Sequence, residues 1–342
     1  MEQEEKLVII DGSSLLVTAF WGNSPKGLQA ADREEDYRAF YDNLLKTSEG
    51  IFTNAVFPML RQVIQLIRDQ KPSHLAVTFD RSRDLLIRKQ WYPQYKAHRR
   101  VTPFALQQQF DTVQKALQMM GIKVFSMDGF EADDIAGSLC RRFQGEIPVY
   151  LLTKDRDYLQ LVAPGVKVWM LQKDQESADA LKDKYCEEEL NIPPKCFEFN
   201  EMFVFMECGV FPDNIPDQKG IVGDSSDNIP GVSGVAEKSA LPLLKEYKTI
   251  ESLYETIENT PEDDLRRLWE GKLGLRPAVL KKLNAEDGQK TGLSAKSTAM
   301  LCKKLACIMT DLKVCDDLSM LRTSLSREGY TEALRWLQIK SL

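Results

Sequence analysis

IKVFSMDGFEADDIAGSLCRRFQGEIPVYLLTKDRD, residues 122–157, places a helical pattern between two short apolar runs that are typical of strands. A strand, a helix and a second strand in close succession predict a βαβ unit with parallel strands. Ligand sites of such folds lie just beyond the carboxyl ends of the strands. Asp155 follows the second strand directly, and Glu131, Asp133 and Asp134 stand where the helix begins. This stretch therefore predicts both an α/β fold and an acidic site at one edge of its sheet.

The same alternation extends through the first half of the chain. The strand-like runs LVII, HLAVTF, IKVFSM and PVYLLT are separated by helical patterns at 51–70, 104–120 and 130–143. We therefore predict an α/β domain with a mostly parallel sheet. From about residue 206 onward the pattern is helical, which predicts a second, helical part of the chain.

Nine carboxylates lie just after strand-like runs or at the start of helical ones. They are Asp11, Asp80, Glu131, Asp133, Asp134, Asp155, Asp157, Asp224 and Asp227. Like charges repel strongly when they meet in a low dielectric. Divalent cations that prefer oxygen ligands would offset this repulsion, so the pattern indicates a Mg²⁺ or Mn²⁺ site. Any single acid could instead cap a helix or shape a turn, Asp133 and Asp227 especially.

The composition is that of an ordinary globular chain. With 342 residues, of which 43% are hydrophobic and 28% charged, it is long enough for two domains or for one large domain with an appendage. The acidic start MEQEEKLVIID lacks the basic and apolar regions of a secretory signal. No apolar run approaches membrane-spanning length, so we expect no membrane contact.

The cysteines indicate a reducing compartment and argue against zinc. Their number, seven, is odd, none belongs to a CxxC pair, and the chain has only two histidines, His74 and His98. The cysteines stand at positions 140, 186, 196, 208, 302, 307 and 315.

One basic stretch favours nucleic acid although the formal net charge is −6. Residues 81–100 hold seven Lys or Arg against one Asp, with Trp91, Tyr92 and Tyr95 interleaved. Cations can bind phosphates and rings can stack on bases, which predicts a nucleic-acid surface. A solvated basic helix face is the alternative.

Two stretches are less regular. Within 28–50, the apolar spacing from Tyr37 to Leu45 predicts an amphipathic helix, with a docking or lid role or, as the favoured alternative, simple packing on the rest of the fold. Residues 172–205 predict only a loop followed by a buried segment.

The string GDSSDNIPGVSGVAEKSA, residues 223–240, interrupts the helical pattern of the second half with residues typical of turns. The spacing of Gly231 and Gly234 predicts a tight hairpin whose outward N–H groups could hold a phosphate. Lys238 and Ser239 would add a charge and a hydroxyl. Taken by itself, such a turn is weak evidence, and an ordinary connection between helices is the favoured alternative.

Taken together, these segments resemble the bacterial 5′ nuclease family, the 5′→3′ exonuclease and flap endonuclease domain found at the N-terminus of DNA polymerase I and as a stand-alone protein. The strings that match, in family order, are LVIIDGSS, GIFTNAV, PSHLAVTFD, IRKQWYPQYKAHR, FEADDIAG, TKDRDYLQLV and GDSSDNIPGVSGVAEKSA. They cover most of the chain outside 28–50, 172–205 and the last part of the sequence. By the resemblance, those two stretches are insertions.

The resemblance implies a fold and its division. It implies a PIN-like α/β catalytic domain at 1–205 with a helical arch at about 81–110. It also implies a helical DNA-binding domain at 206–342, with a helix-three-turn-helix element at about 220–245.

The resemblance also assigns roles to residues. All nine carboxylates would bind two or more Mg²⁺ or Mn²⁺ ions, directly or through water. Two of these ions would lie roughly 3.5–4 Å from each other. Arg88 and Lys96 would steady the scissile phosphate, and Tyr95 would stack on a base near the cleavage point. The residues implied in DNA binding are Arg99, Gly231, Gly234, Lys238 and Ser239. A K⁺ ion would bind at the hairpin.

The implied activity is hydrolysis of phosphodiester bonds in DNA at 5′ flaps and 5′ ends, in primer removal and repair. The implied partner is DNA with a junction between single strand and duplex, or an RNA–DNA hybrid, and the protein would be a cytoplasmic, nucleoid-associated monomer. One alternative is a PIN-type ribonuclease, which the hairpin disfavours. Another is a DNA-binding protein without catalysis, which the intact acidic set disfavours.

Several positions depart from the family pattern, and Thr18 and Ala236 are the two that bear on DNA binding. Thr18 stands where relatives carry a basic residue, which would weaken a phosphate contact. Ala236 stands where relatives carry glycine and would be strained if its φ were positive.

Overall fold

A single sheet organises the computed structural model, which describes residues 5–82, 85–185, 191–286 and 291–340. The strand order is β3-β2-β1-β4-β5-β6. Strands β1 to β5 run parallel, and β6 is antiparallel to β5. The strands are β1 (Leu7–Asp11), β2 (His74–Thr78), β3 (Lys123–Phe125), β4 (Val149–Thr153), β5 (Val166–Leu171) and β6 (Cys196–Phe199). The prediction of an α/β fold with a mostly parallel sheet is confirmed.

Helices cover the sheet and form most of the second half of the chain. The helices up to β6 are α1 (Gly12–Gly22), α2 (Lys26–Ala30), α3 (Glu34–Arg38), α4 (Val56–Gln70), α5 (Ile87–Trp91), α6 (Phe104–Met119), α7 (Ala132–Phe143) and α8 (Gln175–Tyr185). Those after β6 are α9 (Glu201–Cys208), α10 (Ile215–Val222), α11 (Glu237–Tyr247), α12 (Ile250–Asn259), α13 (Glu262–Leu273), α14 (Ala278–Leu283), α15 (Ala295–Ala306) and α16 (Arg327–Trp336). Within the described ranges, every helix is too short or too polar to cross a lipid bilayer.

The central strand β1 is buried on both faces, as expected for a parallel sheet covered by helices. Leu7 and Ile9 face a core shared with α7 and the helices of the second half. Val8 and Ile10 face the opposite core, which is shared with α1, α4 and α6. This sandwich fixes the edge at which the strands end, and hence the position of the acids that follow them.

The segment 28–50 is not the single amphipathic helix that its spacing predicted. It contains the end of α2, then α3 and a short 3₁₀ turn at Tyr41–Asn43. Phe40 folds back onto Gly27, and the Glu34 carboxylate accepts a hydrogen bond of 3.0 Å from the Phe104 amide at the start of α6. Tyr37 and Leu44 are buried in the core on this side, whereas Leu45 is 62% exposed. The segment therefore packs on the rest of the fold, which was the favoured alternative.

Residues 172–205 contain more structure than a loop and a buried segment. They include α8, β6 and the start of α9. Residues 186–190 of this stretch lie outside the described residues, as does Arg83 of the basic stretch at 81–100.

The last helix returns to the sheet domain. Helix α16 packs against α6, and the Ser326 amide donates to the Met120 carbonyl at 2.9 Å. The Thr323 amide donates to the Ser73 carbonyl at 2.8 Å. The division of the chain between residues 205 and 206 stays a prediction. By sequence, α16 belongs to the second part of this division, but it packs on the sheet domain.

The six cysteines among the described residues carry free thiols. Burial raises the pKa of Cys140 and of Cys196 to about 12, so both thiols stay protonated and unreactive at neutral pH. Cys186 lies outside the described residues.

Candidate metal centre

Three acids lie where neighbouring parallel strands end. Asp11 ends β1 and caps α1, accepting a hydrogen bond of 2.9 Å from the Ser14 amide. Asp80 follows β2, and Asp155 follows β4. Burial, with the nearby carboxylates of Asp80 and Asp155, raises the pKa of Asp11 to about 7. The parallel strands therefore hold these carboxylates close together although their negative charges repel each other.

A second group of acids opens α7. Carboxylate oxygens of Glu131, Asp133 and Asp134 lie within 4.8 Å of one another, close enough to hold one ion. Asp80 joins them, because its Oδ1 accepts a hydrogen bond of 2.8 Å from the Ala132 amide. Burial and the charges of Asp134 and Glu131 raise the pKa of Asp133 well above its ordinary value. A negative charge on Asp133 is thus costly unless a cation binds it.

Asp134 differs from its neighbour Asp133, because both its oxygens are already engaged. The Arg88 guanidinium donates to them from Nη1 at 2.6 Å and from Nη2 at 2.7 Å. The Met309 amide donates to Oδ1 at 2.9 Å, and the Glu131 amide donates to Oδ2 at 3.1 Å. Asp134 is fully buried. The metal role expected for Asp134 stays a prediction, but its contacts are those of a residue that holds Arg88 and Glu131 in place.

Arg88 and Tyr95 are buried beside the acids. Each is 2% exposed. Besides Asp134, Arg88 donates to Glu131 at 3.2 Å and to the carbonyls of Leu305 and Cys307. The Tyr95 hydroxyl donates to Glu131 at 2.8 Å, and its ring is covered by protein. The expected contact of Arg88 with a phosphate and the expected stacking of Tyr95 on a base stay predictions, and in this structure both side chains are engaged by protein groups.

Lys96 and Arg99 bridge the acids from the basic stretch. The Lys96 ammonium pairs with Glu131 and lies 3.3 Å from Asp227, and Arg99 donates to Asp227 at 2.5 Å. Lys96 has a φ of +55°, which is uncommon for a residue with a side chain, and its amide donates to the Asp227 carbonyl at 2.9 Å. Such strained positions often mark functional sites. Unlike Arg88, Arg99 is partly exposed, at 36%.

Lys219 was missed by the sequence analysis. Its ammonium lies between Asp157 and Asp224 and forms an ion pair with each of them. Burial and the charge of Asp155 raise the pKa of Asp157 to about 6 although Lys219 opposes this. Burial alone would raise the pKa of Asp224 too, but Lys219 and the hydrogen bonds from Ser226 lower it overall. The available signal was the position of Lys219, the one basic residue of α10, in the last turn just before the GDSSD string.

The glycine hairpin follows directly on the Asp224 loop. Gly231 has a φ of +65°, and a Cβ there would lie 2.4 Å from the backbone of Val222 and Gly223. Gly234 has a φ of +73°, and its carbonyl accepts a hydrogen bond of 2.6 Å from the Lys282 ammonium. Ala236 has a φ of −93°, so the condition for strain at this alanine is not met. Lys238 and Ser239 lie in the first turn of α11.

The donor set fits a hard divalent cation. Its side-chain donors are oxygens, and among the described residues Asp11, Asp80 and Asp133 have no lysine or arginine within ion-pair distance. The Tyr158 hydroxyl is buried near these acids and has no hydrogen-bond partner in the described part of the chain. Carboxylate oxygens without a counter-charge are the ligands that Mg²⁺ and Mn²⁺ prefer.

The raised pKa values predict how the stability of the metal-free protein depends on pH. The folded-state pKa is about 7 for Asp11 and about 6 for Asp157, against an ordinary value of 3.8. Between about pH 4 and pH 7 the folded protein therefore holds protons that the unfolded chain has released, so its unfolding free energy falls as pH rises. We expect a lower Tm in chelator at pH 8 than at pH 5, and a larger gain from added Mn²⁺ at pH 8.

The Asp11→Asn variant is the control for this prediction, because it removes one of the groups whose pKa is raised. Its Tm in chelator should fall less between pH 5 and pH 8 than that of the wild type. A wild-type Tm that rises across this range would contradict the prediction.

Two family models match this chain. Residues 6–191 match the N-terminal resolvase-like domain of 5′-3′ exonuclease, and residues 210–328 match its C-terminal SAM fold. The matched ranges include all nine carboxylates and the glycine hairpin.

Curated relatives agree with these matches. The 5′-3′ exonuclease of Bacillus subtilis (strain 168) is 31% identical over 266 residues, which are 78% of this chain and 78% of that protein. DNA polymerase I of Caldicellulosiruptor bescii is 33% identical over 340 residues, which are 98% of this chain and 33% of the polymerase. The chain thus spans a third or less of the length of these DNA polymerase I relatives.

Solved structures share the fold. The T5 5′-exonuclease with divalent metal ions (zinc) bound has a TM-score of 0.58 and 17% identity, and the match covers 98% of each chain. The catalytic core of Rad2 in complex with DNA substrate has a TM-score of 0.52 and 14% identity, over 98% of this chain and 88% of that one. At such identities the likeness concerns the fold, while the matched sequence carries the assignment. The chain belongs to the 5′-3′ exonuclease family.

Proposed function

We propose that this protein is a divalent-metal-dependent, structure-specific 5′ nuclease that hydrolyses phosphodiester bonds of DNA at 5′ flaps and 5′ ends. The observation that carries the proposal is the meeting of unpaired carboxylates, Asp11, Asp80 and Asp133, with the cations Lys96 and Arg99 at one edge of the sheet. The family to which the chain belongs supports it. The B. subtilis relative, whose name is 5′-3′ exonuclease, supports it as well.

The proposal assigns the metal ligands to two groups. Asp11, Asp80, Glu131 and Asp133 would hold one Mg²⁺ or Mn²⁺ ion. Asp155, Asp157, Asp224 and Asp227 would hold or orient a second. When bound, such ions supply charge neutralisation and activation of a water molecule for in-line displacement at phosphorus. Asp134 would act through Arg88, which holds Glu131 in position.

Lys96 and Arg99 would supply the phosphate contacts. Both side chains now pair with Glu131 and Asp227. Once these carboxylates are neutralised, the ammonium and guanidinium groups are free to donate to the oxygens of a phosphate between them and the acids. Because such contacts do not read bases, selectivity would come from the structure of the DNA.

The hairpin would hold the duplex backbone next to this centre. Amides near Gly231 and Gly234, with Lys238 and Ser239, could bind a phosphate at the start of α11. The proposal includes a K⁺ ion at the hairpin, although the Lys282 ammonium already donates to the Gly234 carbonyl and competes for that oxygen.

The proposal extends to RNA–DNA hybrids as substrates and to primer removal and repair as the cellular role. It also includes a monomeric state and a cytoplasmic location at the nucleoid. These parts follow from the family and from the proposed chemistry.

Cleavage of defined substrates tests the proposal. The purified protein is incubated with an end-labelled 5′-flap duplex, with and without Mg²⁺, and in parallel with a single-stranded RNA of the same length. We expect the flap to be cut at its junction only when the metal is present. Cleavage of the RNA but not of the flap would favour the PIN-type ribonuclease. Binding of the flap without cleavage in Mg²⁺ would favour a DNA-binding protein.

A further inference from the structure

The chain that leaves α15 passes beside the candidate metal centre and contacts its residues through backbone groups. Helix α15 ends at Ala306, and Cys307 is extended, with a φ of −72° and a ψ of 125°. In extended backbone, successive residues face opposite sides. We call residues 305–309 the return segment, and its two sides have different partners.

One side of the return segment holds the buried pair of Arg88 and Asp134. The Arg88 guanidinium donates to the Cys307 carbonyl at 2.8 Å, and the Met309 amide donates to Asp134 Oδ1 at 2.9 Å. The pair in turn holds Glu131, because Arg88 donates to its carboxylate at 3.2 Å and Asp134 Oδ2 accepts from its amide at 3.1 Å. The return segment therefore supports the residues that orient Glu131.

Gln160 holds the other side of the return segment. Its Nε2 donates to the Ala306 carbonyl at 3.1 Å, and its Oε1 accepts a hydrogen bond of 2.8 Å from the Ile308 amide. These two bonds bracket Cys307, whose carbonyl is thereby held toward Arg88. Gln160 belongs to the 3₁₀ helix that directly follows Asp155. A single side chain thus joins the return segment to the chain that follows β4.

Helix α7 leaves room for the return segment at Gly137. A Cβ at this glycine would lie 2.7 Å from Ile308 Cγ2 and 3.2 Å from the Met309 carbonyl oxygen. Asp134, which accepts from the Met309 amide, lies one turn earlier on the same helix. The glycine therefore allows the return segment to come close enough to reach Asp134.

We propose that Gln160 is a positioning residue of the metal centre, which acts through the return segment on Arg88 and Asp134 and through them on Glu131. The inference rests on the proposed metal-dependent function and adds to it a neutral side chain that orients a ligand rather than serving as one. Gly137 provides the space that this arrangement needs. Residues that orient metal ligands typically change metal affinity or activity 10- to 100-fold when they are replaced.

Titration of Mn²⁺ into the DNA-free protein, followed by isothermal titration calorimetry, tests the proposal without reference to cleavage. Gln160→Leu removes both hydrogen bonds and keeps a side chain of similar size. Gly137→Ala displaces the return segment and keeps Gln160. Asp133→Asn identifies the binding step of the ion concerned, because this step should be lost in that variant.

Gln109→Leu is the matched control. Gln109 also bridges two backbone groups, since its Oε1 accepts from the Ala55 amide at 2.7 Å and its Nε2 donates to the Ala105 carbonyl at 2.8 Å. It lies on α6, which packs on the opposite face of the sheet from α7. Its replacement leaves a buried amide unpaired, so the urea midpoint should fall while the Mn²⁺ affinity stays unchanged.

We expect Gln160→Leu to weaken the Mn²⁺ step that Asp133→Asn abolishes by about 10- to 100-fold, and Gly137→Ala to weaken the same step. In flap cleavage, Gln160→Leu should need more Mg²⁺ for the half-maximal rate and lose less of the rate at saturating Mg²⁺.

Two results would overturn the inference: a Gln160→Leu protein that binds Mn²⁺ as tightly as the wild type, or a Gln109→Leu protein in which the same step is weakened as much. A wild type without this Mn²⁺ step defeats the proposed metal centre together with the inference. A wild type that binds Mn²⁺ and never cleaves the flap defeats the nuclease proposal alone.

Discussion

The Asp133→Asn variant should lose about 10²- to 10³-fold of the metal-dependent cleavage rate, the usual cost of removing one group that stabilises charge in a transition state. Asp133 carries a carboxylate without an ion-pair partner among the described residues, and burial with the charges of Asp134 and Glu131 raises its pKa well above the ordinary range. Asparagine keeps an acceptor for the Asp134 amide but removes the charge. The variant should therefore be at least as stable as the wild type in chelator.

Two readouts separate this prediction from a general loss of folding. Cleavage of the labelled flap gives the rate, and thermal unfolding in chelator gives the stability. An Asp133→Asn protein that cleaves at the wild-type rate in saturating Mg²⁺ would contradict a role in metal binding. If the Tm of Asp133→Asn in chelator is lower than that of the wild type, this would contradict the conclusion that the Asp133 charge destabilises the metal-free protein.

The Asp134→Asn variant should show the opposite behaviour in stability. It leaves the Arg88 guanidinium buried without the bidentate carboxylate that now accepts from both of its terminal nitrogens. Removing one partner of a buried ion pair typically costs about 3–5 kcal/mol. We expect a loss of this size in the free energy of unfolding, measured by urea denaturation with and without Mg²⁺.

The exposed pair between Arg266 and Glu262 on α13 provides the control. Glu262→Gln should leave the urea midpoint nearly unchanged, because exposed ion pairs contribute little. If Asp134→Asn proves as stable as the wild type while metal affinity falls, then Asp134 is a metal ligand rather than a positioning residue.

Much of the fold follows from local patterns in the sequence. The runs that form β1, β2, β3 and β4 are short, apolar and separated by helical periodicity, so their type depends little on the rest of the chain. The strands β5 and β6 escaped prediction. Strand β6 has only four residues and is defined by its antiparallel pairing with β5, a contact that its own residues do not specify.

The 28–50 segment shows the limit of periodicity. Its spacing predicted one helix, but Phe40 packs on Gly27 and Glu34 binds the amide at the start of α6. These contacts break the helix into short turns. They arise only once α2 and α6 are in place, and neither contact is visible in the spacing of the segment itself.

The candidate site was predictable as a set of acids but not as a network. The positions of the carboxylates follow from strand ends and motifs. The pairing of Arg88 with Asp134 joins residues 46 positions apart, and Lys219 reaches Asp157 across 62 positions. Such pairs depend on the folded chain, which is why the sequence suggested neither the pairing of Arg88 with Asp134 nor the part played by Lys219.

The central claim is that the carboxylates at the ends of the parallel strands form a divalent-metal centre. Crystals soaked in Mn²⁺ test it most directly, because anomalous scattering at the manganese edge locates the ions without reference to activity. We predict a strong anomalous peak within ligation distance of Asp133 and Glu131, which disappears in the Asp133→Asn variant. Crystals that take up Mn²⁺ elsewhere, with no peak among these carboxylates, would contradict the account.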